Sequence, residues 1–127
     1  EGIGRPRVEA SFVAGVLDAM VQVPDAWSLG AMHALSARLG RRVGGSTGTN
    51  LVAALACAAD MRARGERGSI VTLICDDGER YRHSYFDAAW LRDHGLGCDA
   101  ERDAVTALLD GGAWPDALQP RMAGDLG

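Results

Sequence analysis

Residues 44–48 read GGSTG and satisfy G-x-S-x-G, the pattern in which a serine hydrolase exposes its nucleophile on a tight strand-to-helix turn. That chemistry needs an acid and then a histidine further along, and Asp76 or Asp77 followed by His83 supplies the order. The surroundings argue against it. RRV, just before the turn, is too short and too charged for a buried central strand, and His83 follows Asp77 too closely to admit the elements that normally separate the two. Two other readings suit the pentapeptide. A glycine-rich turn at a helix start presents backbone N–H groups to anions or polar ligand atoms. Alternatively, Ser46, Thr47 or Thr49 simply caps a helix beginning near Asn50, a contribution of about 1 kcal/mol.

Asp76 and Asp77 are the next candidates, because they directly follow the apolar run SIVTLIC at 69–75. Ligands of open α/β sheets gather at the carboxyl ends of strands, so a carboxylate there can face a bound molecule; a solvated turn before Gly78 is the plainer alternative. Cys57, Cys75 and Cys98 are widely spaced, contain no CxxC, and read as reduced thiols of a cytoplasmic protein. His33, His83 and His94 are equally scattered, so no metal site is expected. Trp27, Trp90 and Trp114 lie too far apart to form a stacking platform. All thirteen basic residues are arginine. With no lysine present, any chemistry that needs a lysine amine must obtain it from outside these residues.

The elements that position these groups alternate between helix and strand signals. SFVAGVLDAM (11–20) carries Phe12, Val16, Leu17 and Met20 at helical spacing, and VQV (21–23) is a short β-like piece stopped by Pro24. Asp25 suits a helix cap; Leu29, Met32, Leu35 and Leu39 then repeat every three or four residues until Gly40 stops the helix. After the glycine turn, LVAALACAADMRAR is a second helix, with Leu51, Leu55, Ala59 and Arg62 on one side and Gly65 at its end. SIVTLIC is an unbroken aliphatic and β-branched run, the mark of a strand buried on both faces of a parallel sheet. Tyr81 to Trp90 reads as a mixed surface helix or loop, and ERDAVTALLD as one more short helix before a Gly/Pro-punctuated tail. The pattern implies an α/β fold with too few strands for a complete sheet, hence part of a larger domain. Glu1 in place of an initiator methionine points the same way.

Composition excludes several classes. A net charge of −4 leaves no basic stripe for nucleic acid, and no apolar run approaches the ~20 residues a membrane span requires. A hydrophobic share of 47% is too high for a disordered segment.

Three stretches together resemble the cysteine synthase/cystathionine β-synthase family of pyridoxal-phosphate enzymes: EGIG at 1–4, GGSTGTN at 44–50 and VTLICDDGERY at 71–81, in matching order and spacing. The resemblance covers roughly residues 1–90 and implies the carboxyl-terminal portion of a three-layer, tryptophan-synthase-β-like domain, called fold type II. Residues 1–95 would complete the cofactor-binding domain and 96–127 would form a helical extension and tail. By the same resemblance, Ser46 donates its hydroxyl hydrogen bond to the pyridine nitrogen of pyridoxal phosphate, while Gly2, Ile3 and Gly4 line the cofactor through backbone approach. Gly45, Cys75 and Asp76 complete the expected cofactor-binding set, with Cys75 standing where relatives often place a proline. A neutral hydroxyl leaves the ring a weaker electron sink than a carboxylate would, which suits prompt loss of a β-substituent.

The resemblance implies β-elimination or β-replacement on cysteine-like amino acids, nearest to bacterial desulfhydrases, with carbon–sulfur lyases that cleave cysteine conjugates as a variant. The Schiff-base lysine and the loops for phosphate and substrate carboxylate lie upstream in that family, so no catalytic residue is expected here. The expected partners are an upstream half of the same enzyme and, for the complete enzyme, a second copy. A non-catalytic remnant of the same fold is the alternative from another class.

Overall fold

The computed structural model describes residues 8–113, in which four α-helices and two short 3-10 turns succeed one another. Helix α1 (Asp25–Leu39) follows Pro24, whose φ of −63° and ψ of 149° set the direction of entry; Pro24 is the cap residue and Asp25 already lies in the first turn. The helix stops where the spacing placed its end, at Gly40, whose φ of 66° is the left-handed conformation a side chain would disfavour. Of its periodic residues, Leu29 and Met32 are buried and Leu35 packs against them, whereas Leu39 is exposed.

Helix α1 is the centre of the core because two of its sides are covered. Ala31 and Ala34 meet Val52 of helix α2 (Gly45–Ala63) and Val105 of helix α4 (Asp99–Leu109), with Trp27, Leu51, Leu55 and Leu109 around them. Leu29 and Met32 meet Val43, Leu91 and Cys98, the last two carried by and just after the short helix α3 (Ala88–Asp93), with Tyr85, Phe86, Trp90 and Leu96 packed on. Small residues make these crossings close. A Cβ on Gly48 would lie 1.9 Å from the Ser28 carbonyl oxygen, and one on Gly30 would lie 2.6 Å from the Arg102 nitrogen. Only hydrogen fits at either position.

Three expectations are corrected. The stretch 11–20 is not a helix: it holds one 3-10 turn, Ala14–Val16, and every side chain in it is exposed. An amphipathic face gains stability only by burial, and among the described residues nothing covers this one. Helix α2 begins at Gly45 rather than near Asn50, so the glycine turn is its first turn; Gly44 occupies the cap position, and no side chain caps the helix. The run 69–75 forms no strand and is exposed, with Val71 91% and Leu73 69% accessible. The described residues therefore form no sheet. Between described residues, the β pairing is the isolated antiparallel bridge of Val43 with Asp77. The apolar pattern of 70–74 is that of a strand with two neighbours, and the described residues supply no neighbouring strand.

Candidate functional site

Two chain segments meet at the start of α2. The Gly44 N–H donates to the Asp76 carbonyl at 3.1 Å, and the Gly78 N–H donates to the Arg42 carbonyl at 3.2 Å, flanking the Val43–Asp77 bridge. Gly78 permits this approach, since a Cβ there would lie 2.5 Å from the Val43 nitrogen. Beside the bridge, Thr47 and Asn50 stand three residues apart on one side of α2 and hold the end of the run 69–75. Thr47 Oγ1 accepts the Cys75 N–H at 3.0 Å, and Asn50 Nδ2 donates to the Leu73 carbonyl at 3.2 Å. Asn50 Nδ2 also lies 3.4 Å from Cys75 Sγ.

This arrangement brings Gly45, Ser46, Cys75 and Asp76 together. Gly45 is buried, Ser46 and Asp76 are half-buried, and Cys75 is exposed. Gly2, Ile3 and Gly4 lie outside the described residues. Ser46 occupies the second helical position after Gly44, where backbone N–H groups point out of the helix and the macrodipole is positive. Among the described residues its hydroxyl has no hydrogen-bond partner, in contrast to Thr47 and to Thr49, whose Oγ1 donates to Ser28 Oγ at 2.8 Å.

The geometry does not fit a nucleophile elbow. Ser46 has helical backbone, no non-glycine residue among those described has a positive φ, and Gly44 has an extended φ of −80°. His83 is occupied elsewhere, its Nε2 lying 3.2 Å from Arg82 Nη2. His33 Nε2 donates to the Tyr85 carbonyl at 2.8 Å, and burial pushes its pKa below 6.5. His94 stacks on Trp90 with ring centroids 3.8 Å apart. Cys98 is buried, and desolvation raises its thiol pKa, with Asp99 and Glu101 adding to the shift. Among the described residues no group of histidines, cysteines and carboxylates could hold a metal ion, and no helix is long and apolar enough to cross a membrane.

Three contacts at the site were not expected from the sequence: those of Thr47, which was expected only as a candidate helix cap, of Asn50 and of Tyr81. Thr47 and Asn50 were visible as polar residues three apart in an otherwise alanine-rich helix. Tyr81, inside DDGERY, donates its phenol to Asp76 Oδ2 at 2.7 Å; its signal was an aromatic residue five positions after the candidate carboxylate.

No family model matches the chain, and no solved structure does. Curated proteins do. The chain is 56% identical over 96 residues to the L-cysteine desulfhydrase Cds1 of Mycobacterium tuberculosis, an alignment spanning 76% of the chain and 26% of that protein. It is 34% identical over 98 residues to a putative cysteine synthase of Sinorhizobium fredii, covering 76% of the chain and 27% of the relative. A putative pyridoxal-phosphate dependent protein of Caenorhabditis elegans is 34% identical over 85 residues, covering 64% of the chain and 19% of that protein. The chain thus spans about a quarter of the length of the cysteine enzymes it matches. The alignments identify the chain as matching a fragment of a cysteine synthase-like, pyridoxal-phosphate-dependent enzyme.

Proposed function

We propose that this chain supplies the ring-nitrogen side of a pyridoxal-phosphate site in an enzyme that eliminates or replaces the β-substituent of cysteine or a cysteine conjugate. The observation that carries the reading is the placement of Ser46. Its neutral hydroxyl stands in the first turn of α2, without a partner among the described residues, beside the segment 75–77. The positive end of the helix and a neutral donor both disfavour a proton on a ring nitrogen facing them. Thr47 and Asn50 hold Cys75 and its neighbours at the margin. Gly2, Ile3 and Gly4 would add backbone from the other segment. The cofactor, when bound, supplies the electron sink that lets the α-proton and the β-substituent depart.

A lysine for the cofactor linkage and the α-proton has to come from outside these residues, because the chain contains none. The exposed run 70–74 supports the same conclusion. Ile70, Val71, Leu73 and Ile74 form a strand-like segment with both sides open, suited to insertion between strands of an upstream part of the enzyme. On this reading residues 1–95 complete the cofactor domain, the complete enzyme pairs with a second copy, and it works in the cytoplasm with its thiols reduced.

The test uses the complete native protein purified with pyridoxal phosphate. A visible absorption band from the lysine-linked cofactor, with sulfide, pyruvate and ammonia released from cysteine, is expected. A colourless, correctly folded protein in excess cofactor would overturn the reading and is the result a non-catalytic remnant would give.

A further inference from the structure

We propose that Tyr81 is a positioning residue of this site: its phenol holds the Asp76 carboxylate, leaving the Ser46 hydroxyl as the sole partner of the ring nitrogen. The inference rests on the function proposed above. Asp76 and Ser46 flank the same residue. Asp76 accepts the Gly44 N–H through its carbonyl, and Ser46 follows Gly44 by two positions. A Cβ on Gly44 would lie 3.1 Å from both Asp76 Cβ and Tyr81 Cε2, so the carboxylate-bearing side chain and the phenol ring together form the wall behind the turn.

A carboxylate so close to the turn is the chemical rival of the serine. Facing a pyridine nitrogen, it would favour the protonated ring that a neutral hydroxyl does not. Tyr81 occupies it, the phenol donating to Asp76 Oδ2 at 2.7 Å, and Arg80 Nη1 lies 3.4 Å from the same oxygen. The tyrosine is itself braced. Its ring stacks on Tyr85 at 5.2 Å and 21°, and Tyr85 meets Trp90 edge-on at 5.7 Å, which ties the phenol to the aromatic part of the core. Glu79, a second carboxylate of this stretch, is paired with Arg42 at 2.6 Å. Asp77 Oδ1 accepts the Glu79 N–H at 3.0 Å. Asp76 is therefore the carboxylate held by the Tyr81 phenol, with the largely exposed Arg80 as a second, longer contact.

The experiment compares Tyr81→Phe, Asp76→Asn and the double variant in the complete native protein loaded with pyridoxal phosphate. The readouts are the absorption and fluorescence of the bound cofactor as a function of pH, beside the denaturation midpoint. Tyr81→Phe should raise the fraction of protonated ring and move the pH midpoint of the spectral transition upward; kcat for elimination should fall about tenfold with KM within about twofold. The double variant should return the spectrum to that of the wild type, because no carboxylate is left to release. A Tyr81→Phe protein with the wild-type spectral titration, or a shift that Asp76→Asn does not reverse, overturns the inference. Asp76→Asn alone tests it without the tyrosine change: loss of the wild-type ring-protonation signature would make Asp76 the ring's partner and overturn it. A wild type that binds no pyridoxal phosphate overturns the functional reading and this inference together, whereas a cofactor-loaded wild type with indifferent variants overturns only the inference.

Discussion

Thr47 Oγ1 accepts the backbone N–H of Cys75 at 3.0 Å, joining the first turn of α2 to the end of the apolar run 69–75, 28 residues later. Thr47 is almost wholly buried, at 2% accessibility, so the bond is held rather than sampled. Thr47→Val keeps the shape but leaves the Cys75 N–H without its acceptor. The expected cost is about 1 kcal/mol in chemical denaturation. Alkylation of Cys75, which is exposed, should also accelerate as its backbone is released.

Ser46 should behave as a tuner of bound cofactor and not as a nucleophile. Ser46→Asp places a carboxylate where a neutral hydroxyl stands, which should raise ring protonation and depress elimination. The fold should persist, because an acidic side chain in the first turn of a helix is favoured by about 0.3–1 kcal/mol. Circular dichroism and steady-state kinetics of the complete protein check the two halves; unchanged turnover would contradict the pairing.

Gly48 should resist replacement even by alanine. Gly48→Ala improves helix propensity yet drives a methyl toward the Ser28 carbonyl, 1.9 Å away, and the Met32 nitrogen, 2.8 Å away. Overpacking of this kind typically costs about 1–3 kcal/mol, which outweighs the gain of about 1 kcal/mol from removing a helical glycine. Urea denaturation should show a lowered midpoint, and Gly15→Ala, where nothing lies within 4 Å, is the control.

His33 gives stability a pH dependence. Its folded pKa lies below 6.5 because burial disfavours the charged ring, with Arg102 adding to the depression and the Tyr85 carbonyl and Asp99 opposing it. The unfolded chain therefore binds the proton first, and the contribution of His33 is complete above 6.5. Stability should decline as pH falls below that value and level off once pH is below the folded pKa. Denaturation midpoints between about pH 7 and pH 5 measure the slope, and His33→Gln should flatten it.

What the sequence made legible was local. α1 was evident because Leu29, Met32 and Leu35 repeat at helical spacing and Gly40 ends the pattern, and the short helix read at 101–110 is α4, which begins at Asp99. The start of α2 was not, because Gly44, Gly45 and Gly48 read as a turn. Their low helix propensity is offset by the close crossing that Gly48 permits with Ser28 and Met32, a contact between segments that no local pattern displays. The run 69–75 had the correct composition for a strand, but pairing depends on neighbours, and the described residues provide none. At the candidate site, motif spacing brought Ser46 and Asp76 into view together. It could not show Tyr81 acting on Asp76, because side-chain direction depends on the bridge between Val43 and Asp77.

That bridge has a kinetic consequence. By pairing Val43 with Asp77 it closes the chain into a noose around the whole of α2, with the proposed cofactor turn at the knot. Such a closure costs chain entropy that is recovered only when the distant ends meet, so helix formation in α2 can run ahead of it while the knot waits. During refolding, protection of the Gly44 and Gly78 amides against hydrogen exchange should therefore lag behind that of the α2 interior. The capacity to grip a ligand would then be among the last properties the folding chain acquires.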